Sequence, residues 1–280
     1  MRYNYNVYTG IKKLKTKTAL GLSTLVLAVA GTGGMAVLSF GSAHADSLAT
    51  VNGCSFLVSS STWTLQSDCS SSAEIDVPAG VTLDGGGYTI SPTFSKTSNS
   101  NNAALGVLSD DVTVKNLTVN GASGTSLHGI NVYVATGVVL NDVTLENNDH
   151  NGLVVNGSNV TVNNITTKNN SWGGIDVDQG GGVTAPAVLT VNGTSTQTEA
   201  FGVDIHVDNT SKDVSVIDTN SQYLVTSDGQ GGAVYTLKSI PSTKDNCKNS
   251  GWQNLRDAGG GFKNQGACVS FVASNGKSQH

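Results

Sequence analysis

The sequence predicts an all-β protein: a right-handed, single-stranded parallel β-helix of about six coils, with a capped N-terminus and a small disulfide-closed appendage at the C-terminus. Three observations predict it. The 280 residues include 34 Gly and only 12% charged side chains, about half the charge of an ordinary soluble domain. Val and Thr, which favour strands, are abundant, while the helix formers Glu, Lys, Gln and Met are scarce. A Gly-led alternating strand recurs at Gly106, Gly129, Gly152, Gly174 and Gly202, in steps of 23, 23, 22 and 28 residues. Helical bundles do not fit this composition. Disordered chains are more charged and poorer in β-branched residues.

The leader comes first. Residues 1–45 carry Arg2, Lys12, Lys13, Lys15 and Lys17 and no acid, then an apolar run from Ala19 to Phe40, then Ala43-His44-Ala45. Basic, apolar, then A-x-A is the layout of a secretory signal peptide cleaved after Ala45. The apolar run of 22 residues also reaches across a bilayer, so an uncleaved anchor is the alternative. Either arrangement puts residues 46–280 outside the cytoplasm, secreted or on the cell surface, with no membrane span once the signal is cleaved. Cleavage leaves 10 basic residues against 20 acidic ones. Such a chain is repelled by phosphates, which argues against a nucleic-acid partner.

Residues 46–73, with Cys54, Trp63 and Cys69, are expected to cap the open end of the coil, because a bare end exposes unpaired strands and apolar core. The β-helix follows over 74–240. Glu74 to Ile90 reads as its first coil, and the Ser/Asn-rich stretch Ser91–Asn102 as a protruding loop. Three further stretches share one pattern: Val112-x-Val114-x-x-Leu117-x-Val119, Val138-x-Leu140-x-x-Val143-x-Leu145 and Val160-x-Val162-x-x-Ile165-x-Thr167. The one-residue offset in each re-aims the inward face, as a corner does. Asn116, Asp142 and Asn164 stand at the offset, where tolerance of left-handed backbone predicts a stacked Asn/Asp corner. Residues 183–191 fit poorly around Pro186, which has no N–H for a ladder, so a bulge is expected there. Residues 214–225 read as the last coil. The remainder, 241–280, forms the Cys-bearing appendage. Four Cys allow three pairings. Cys54–Cys69 and Cys247–Cys268 are preferred because each pair lies within its own terminal segment, and none has C-x-x-C spacing.

The coil opening Val77-Pro78-Ala79-Gly80-Val81-Thr82-Leu83-Asp84-Gly85-Gly86-Gly87 and the repeats after it resemble the right-handed β-helix proteins of the pectin/pectate lyase-like superfamily, over residues 72–225. The resemblance implies the fold. It says little of activity, because that superfamily holds lyases, hydrolases, epimerases, adhesins and non-catalytic repeats. The tail Cys247-Lys248-x-x-Gly251-Trp252, with Phe262 to Phe271, resembles a short Cys-bearing module at the C-terminus of bacterial exported proteins. That implies localisation and no particular chemistry. Trp252, Phe262 and Phe271 are its core if it is a plain appendage, and partly its surface if it contacts a partner.

In stacked coils, outward residues can be read as columns. Aligning the glycines gives Asn131, Val154, Asp176 and Asp204 in one column and Tyr133, Asn156, Asp178 and His206 in the next, with Asp208 beyond. Asp176, Asp178, Asp204 and His206 are then expected to form a square patch. Asp176, Asp204 and His206 are its candidate catalytic groups, since paired carboxyls serve glycoside hydrolysis and His serves as acid or base. Asp176, Asp178 and Asp204 are candidate ligands for Ca²⁺, the only cofactor suggested. An inert solvated acidic face is the plain alternative. Tyr133, Asn156, Asp178 and Asp208 are candidate ligand contacts, as are His128 and Trp172, which with His150 and Phe201 precede the Gly strands and can form an aromatic rim for sugars. Pectate lyases of the superfamily use a basic residue, commonly Arg, as proton acceptor. Here Arg occurs only at Arg2 and Arg256. Three readings follow: a monomeric exported protein that binds or displays on polysaccharide or cell-envelope glycan without catalysis, a polysaccharide lyase or hydrolase, or a structural adhesion module.

Overall fold

The structure, a computed structural model, describes residues 46–97, 102–199, 203–258, 260–274 and 276. The leader at 1–45, part of the loop expected at Ser91–Asn102, and Phe201 and Gly202 lie outside the described residues.

The chain is a parallel β-solenoid of about five turns. It begins with β1 (Ser47–Val51), β2 (Cys54–Ser59) and β3 (Thr62–Leu65), an antiparallel meander. Winding starts with β4 (Cys69–Ser71) and β5 (Ile75–Asp76), and continues through β6 (Thr82–Asp84), β7 (Thr89–Pro92) and β8 (Ala103–Val107). Three regular coils follow: β9 (Thr113–Asn120) with β10 (His128–Tyr133), β11 (Val138–Glu146) with β12 (Asn151–Asn156), and β13 (Asn159–Lys168) with β14 (Gly173–Asp178). A looser coil holds β15 (Ala187–Asn192), β16 (Thr196–Thr198) and β17 (Ile205–Val207). Then come β18 (Val214–Asp218), β19 (Tyr223–Ser227) and β20 (Ala233–Leu237). The tail contains β21 (Arg256–Asp257), β22 (Gly260–Gly261) and one helix, α1 (Gln265–Ala273).

Two sheets form the walls. One runs β1-β2-β3-β6-β9-β11-β13-β15-β18, the other β19-β20-β17-β14-β12-β10-β8-β5. The second sheet stacks Ile75, Leu105, Ile130, Leu153, Ile175 and Ile205 in register, all buried. Opposite them, the first sheet stacks Leu83, Val114, Leu140, Val162 and Val191. Each such side chain contributes about 1.5–3 kcal/mol by leaving water. No coil could bury its own apolar face without the next.

The corners follow from the Asn and Asp residues. Asn116, Asp142 and Asn164 have positive φ of 50°, 52° and 58°. Asn164 Nδ2 donates to Asp142 Oδ1 at 3.0 Å, and Asn116 Nδ2 donates to Asp84 Oδ1 at 3.2 Å. A second ladder at the next corner is buried. Asn148 Nδ2 donates to Asn170 Oδ1 at 2.7 Å, and Asn170 donates onward to Leu145 O at 3.0 Å. This inner ladder explains the repeated glycine. A Cβ on Gly152 would sit 2.8 Å from Gly174 O and 2.9 Å from Asn170 Nδ2.

Three expectations are corrected. Residues 187–192 form a regular parallel strand against β13 and β18, and the irregular stretch before it is 179–186, which ends at Pro186. Residues 214–225 do not complete a coil: β18 is parallel, but β19 turns back as a hairpin with β20, and β20 lies antiparallel on β17. Winding therefore stops earlier than six coils. Gly106 pairs with Asn131 and not with Gly129, because Leu105 and Val107 must face the core beside Ile130 and Val132.

Both disulfides are sequence-local, Cys54–Cys69 and Cys247–Cys268. In the tail, Phe271 is buried and packs 5.4 Å from Phe262 between ring centroids, and Asn264 caps α1 by accepting from Ala267 N at 2.9 Å. The tail is latched to the solenoid by Arg256, whose Nη2 donates to Ser195 O and whose Nε donates to Lys238 O, both at 3.1 Å. Among the described residues no helix is long and apolar enough to cross a membrane.

Candidate functional site

Alternation in β10, β12, β14 and β17 sends every second side chain away from the core. The parallel register then lines these up as Asn131, Val154, Asp176 and His206, and beside them Tyr133, Asn156 and Asp178. Asp208 follows β17 next to Asp178, since Val207 lies opposite Val177. This differs by two residues from the column that aligned glycines imply. Aligning Gly202 with Gly174 would set Val203 and Ile205 against Ile175 and Val177. The structure pairs Ile205 and Val207 with them instead, and both are buried. A shift of two preserves which face is outward but moves each side chain one place along the strand.

Asp204 therefore leaves the patch, and the expected set of Asp176, Asp178 and Asp204 does not converge. Asp204 lies at the level of Gly174, is buried, and accepts from Leu237 N at 2.6 Å. Burial, helped by Glu199, pushes its carboxyl up to about 6, against the pull of Arg256. It belongs to the solenoid's junction with β20 and the tail.

The patch that forms contains Asp176, Asp178, His206 and Asp208. His206 Nδ1 stands 3.4 Å from Asp176 Oδ1 and 3.2 Å from Asp208 Oδ1. Its Nε2 is 3.4 Å from Asp228 Oδ2. Hydrogen bonds to Asp176 and then Asp208 hold the imidazolium up to about 10, against burial. At neutral pH His206 is thus a cation pinned by carboxylates rather than a free base. Burial raises the Asp176 carboxyl, and Asp208 adds to that. Asp178 is pushed up to about 7 by burial, then by Asp176 and Asp208. The Oδ1 atoms of Asp178 and Asn156 are both buried without a hydrogen-bond partner.

Asp228 was not legible as a site residue. It arrives through the β19–β20 turn, where its Oδ1 accepts from Gln230 N at 2.7 Å and Gly232 N at 2.8 Å. Asp228-Gly229 is a dipeptide that favours a hairpin turn, but it carries no sign of docking beside β17. A further carboxyl pair sits at the other end of the same face. Glu74 and Asp76 converge over Gly106, where a Cβ would meet an oxygen of each.

Of the aromatic residues before the Gly strands, His128, His150 and Trp172 assemble. His150 and Trp172 stack with centroids 3.5 Å apart and planes 17° apart, and His128 meets both edge-on at 5.0 Å and 6.0 Å. His128 Nδ1 accepts from Asn151 N at 3.2 Å, and burial above all holds this ring neutral, down to about 3. Trp172 is 55% exposed. It lies four residues before Asp176 on the chain, about 13 Å along an extended strand. Arg256, the sole Arg of the described residues, has its guanidinium on the carbonyls of Ser195, Lys238 and Asp257, away from the patch. The chain matches no protein-family model, no curated protein and no solved structure.

Proposed function

We propose that the protein is an exported, polysaccharide-binding β-solenoid that holds glycan without cleaving it. The observation that carries this reading is the ladder of His128, His150 and Trp172, which ends in an indole 55% exposed at the entry to β14. A rigid, half-open aromatic face stacks on the C–H face of a sugar ring at little entropic cost. Beyond it lie polar side chains on successive rungs about 4.8 Å apart, a spacing comparable with that of sugars in an extended chain. The abundant carboxylates favour neutral glycans over polyuronates. Non-catalysis is supported by His206 being held as a cation and by Arg256 being tied to backbone carbonyls. Export is supported by the basic–apolar leader and by two disulfides, which persist in oxidising surroundings.

Calorimetric titration with soluble β-glucan, xylan, mannan and polygalacturonate tests the reading. A neutral glycan is expected to bind, with Trp172→Ala weakening it about tenfold, or 1.4 kcal/mol. An unchanged affinity in that variant, or no binding to any of the four, overturns it. A second reading rests on Asp178, whose raised carboxyl stands beside Asp176 and suits a general acid. Release of reducing ends, lost in Asp178→Asn, would replace binding by hydrolysis.

A further inference from the structure

We propose that Asp176, His206 and Asp208 bind a divalent transition-metal ion, at a site separate from the aromatic ladder. Each offers one ligand atom, and the three atoms lie within 4.8 Å of one another. The contacts already have the dimensions of a metal site. Ligand atoms on a tetrahedral ion with bonds of about 2.0–2.1 Å lie about 3.3 Å apart. His206 Nδ1 stands 3.4 Å from one carboxylate oxygen and 3.2 Å from the other. Parallel pairing of Asp176 with His206 sets the first contact. A two-residue step along the same extended segment supplies Asp208.

The donor set selects the class of ion. An imidazole nitrogen with two carboxylates suits zinc and its first-row neighbours, whereas Ca²⁺ takes six to eight oxygens. The ring is also oriented as metal-bound histidines are. Nδ1 faces the two ligand carboxylates, and Nε2 points at Asp228 Oδ2, 3.4 Å away, which fixes the ring from outside. A bound ion would take the place of the Nδ1 proton and neutralise the same carboxylates.

An independent observation points the same way. Asn156 is 4% exposed and stands directly beside Asp178 in the ladder. The Oδ1 atoms of both are buried with no hydrogen-bond partner. Leaving a buried acceptor unpaired is costly. Asp178 adjoins Asp208 across the β14–β17 register, so a cation held there with a water ligand would offer this corner a donor, and half-exposed Asp208 leaves it a way in.

Titration of the purified, untagged protein with Zn²⁺ and, separately, Ca²⁺ tests the site. One Zn²⁺ is expected to bind, more tightly than Ca²⁺. Asp208→Asn and His206→Gln are each expected to weaken Zn²⁺ at least 100-fold, and Asp228→Asn about tenfold as an outer partner. Asp208 is half-exposed, so its variant carries the test if His206→Gln does not fold. Absence of Zn²⁺ binding at millimolar concentration, or affinity unchanged in Asp208→Asn, overturns the proposal. Trp172→Ala is expected to keep full Zn²⁺ affinity, which separates failure of this site from failure of the glycan reading.

Discussion

Glu74 shows how one side chain ties this fold to pH. It is buried, its Oε2 accepts from Ala103 N at 2.9 Å, and Asp76 shares the space over Gly106. Burial first, and Asp76 after it, push its carboxyl from 4.5 up to about 7, against the hydrogen bonds from Ala103 and Asn102. The folded state therefore binds more protons than the unfolded chain between those values, and stability falls as pH rises through the window. The thermal midpoint is expected to be higher at pH 5 than at pH 8, with the difference reduced in Glu74→Gln. Equal pH slopes for wild type and variant would show that the pair plays no part. Neither the convergence of Glu74 and Asp76 nor the empty place left by Gly106 could be read from sequence. The glycine repeat sets Gly106 level with Gly129, two positions away from its actual partner Asn131.

At the scale of the strand and its corner, more was legible. The offset apolar pattern located Asn116, Asp142 and Asn164, and all three have the left-handed backbone that a corner requires. Ala at such a position costs about 1–2 kcal/mol in backbone strain, and loses the side-chain ladder as well. Asn164→Ala is therefore expected to lower unfolding free energy by about 2 kcal/mol in urea, and Asn164→Gly by about half that, since Gly keeps the backbone at ease. Equal losses in the two variants would contradict this division. The buried ladder of Asn148 and Asn170 went unread, although Asn147-Asn148 and Asn169-Asn170 repeat at the same place in two coils. A polar side chain inside a core is not foreshadowed by apolar periodicity. It becomes intelligible only where its partners, here the Asn170 oxygen and Leu145 O, can be named.

For the whole molecule, the question is how the open end is closed. The β19–β20 hairpin runs antiparallel along β17, and the tail latches on through Arg256. Arg256 is buried, with donors to the carbonyls of Ser195, Lys238 and Asp257 and with Asp204 near enough to be stabilised by it. Arg256→Ala strands these carbonyls. The expected cost is on the order of 2 kcal/mol, with faster proteolysis of residues 241–280 than in wild type. Unaltered protease resistance would mean that the disulfide Cys247–Cys268 and the packing of Phe262 on Phe271 hold the tail unaided.

The all-β class, the parallel winding, the inward columns of Val, Ile and Leu, the corner at Asn164 and the local disulfides can all be read from the chain as written. These rest on periodicity, on backbone tolerance and on proximity along the chain, all of which a linear string carries. Only the folded arrangement set His206 beside Asp176 rather than Asp178, turned Asp204 to Leu237 N of β20, and brought Asp228 to the patch. The physical reason is register. Across an irregular coil, pairing is settled by which apolar residues the core accepts, so the outward columns shift by whole side-chain periods without changing face.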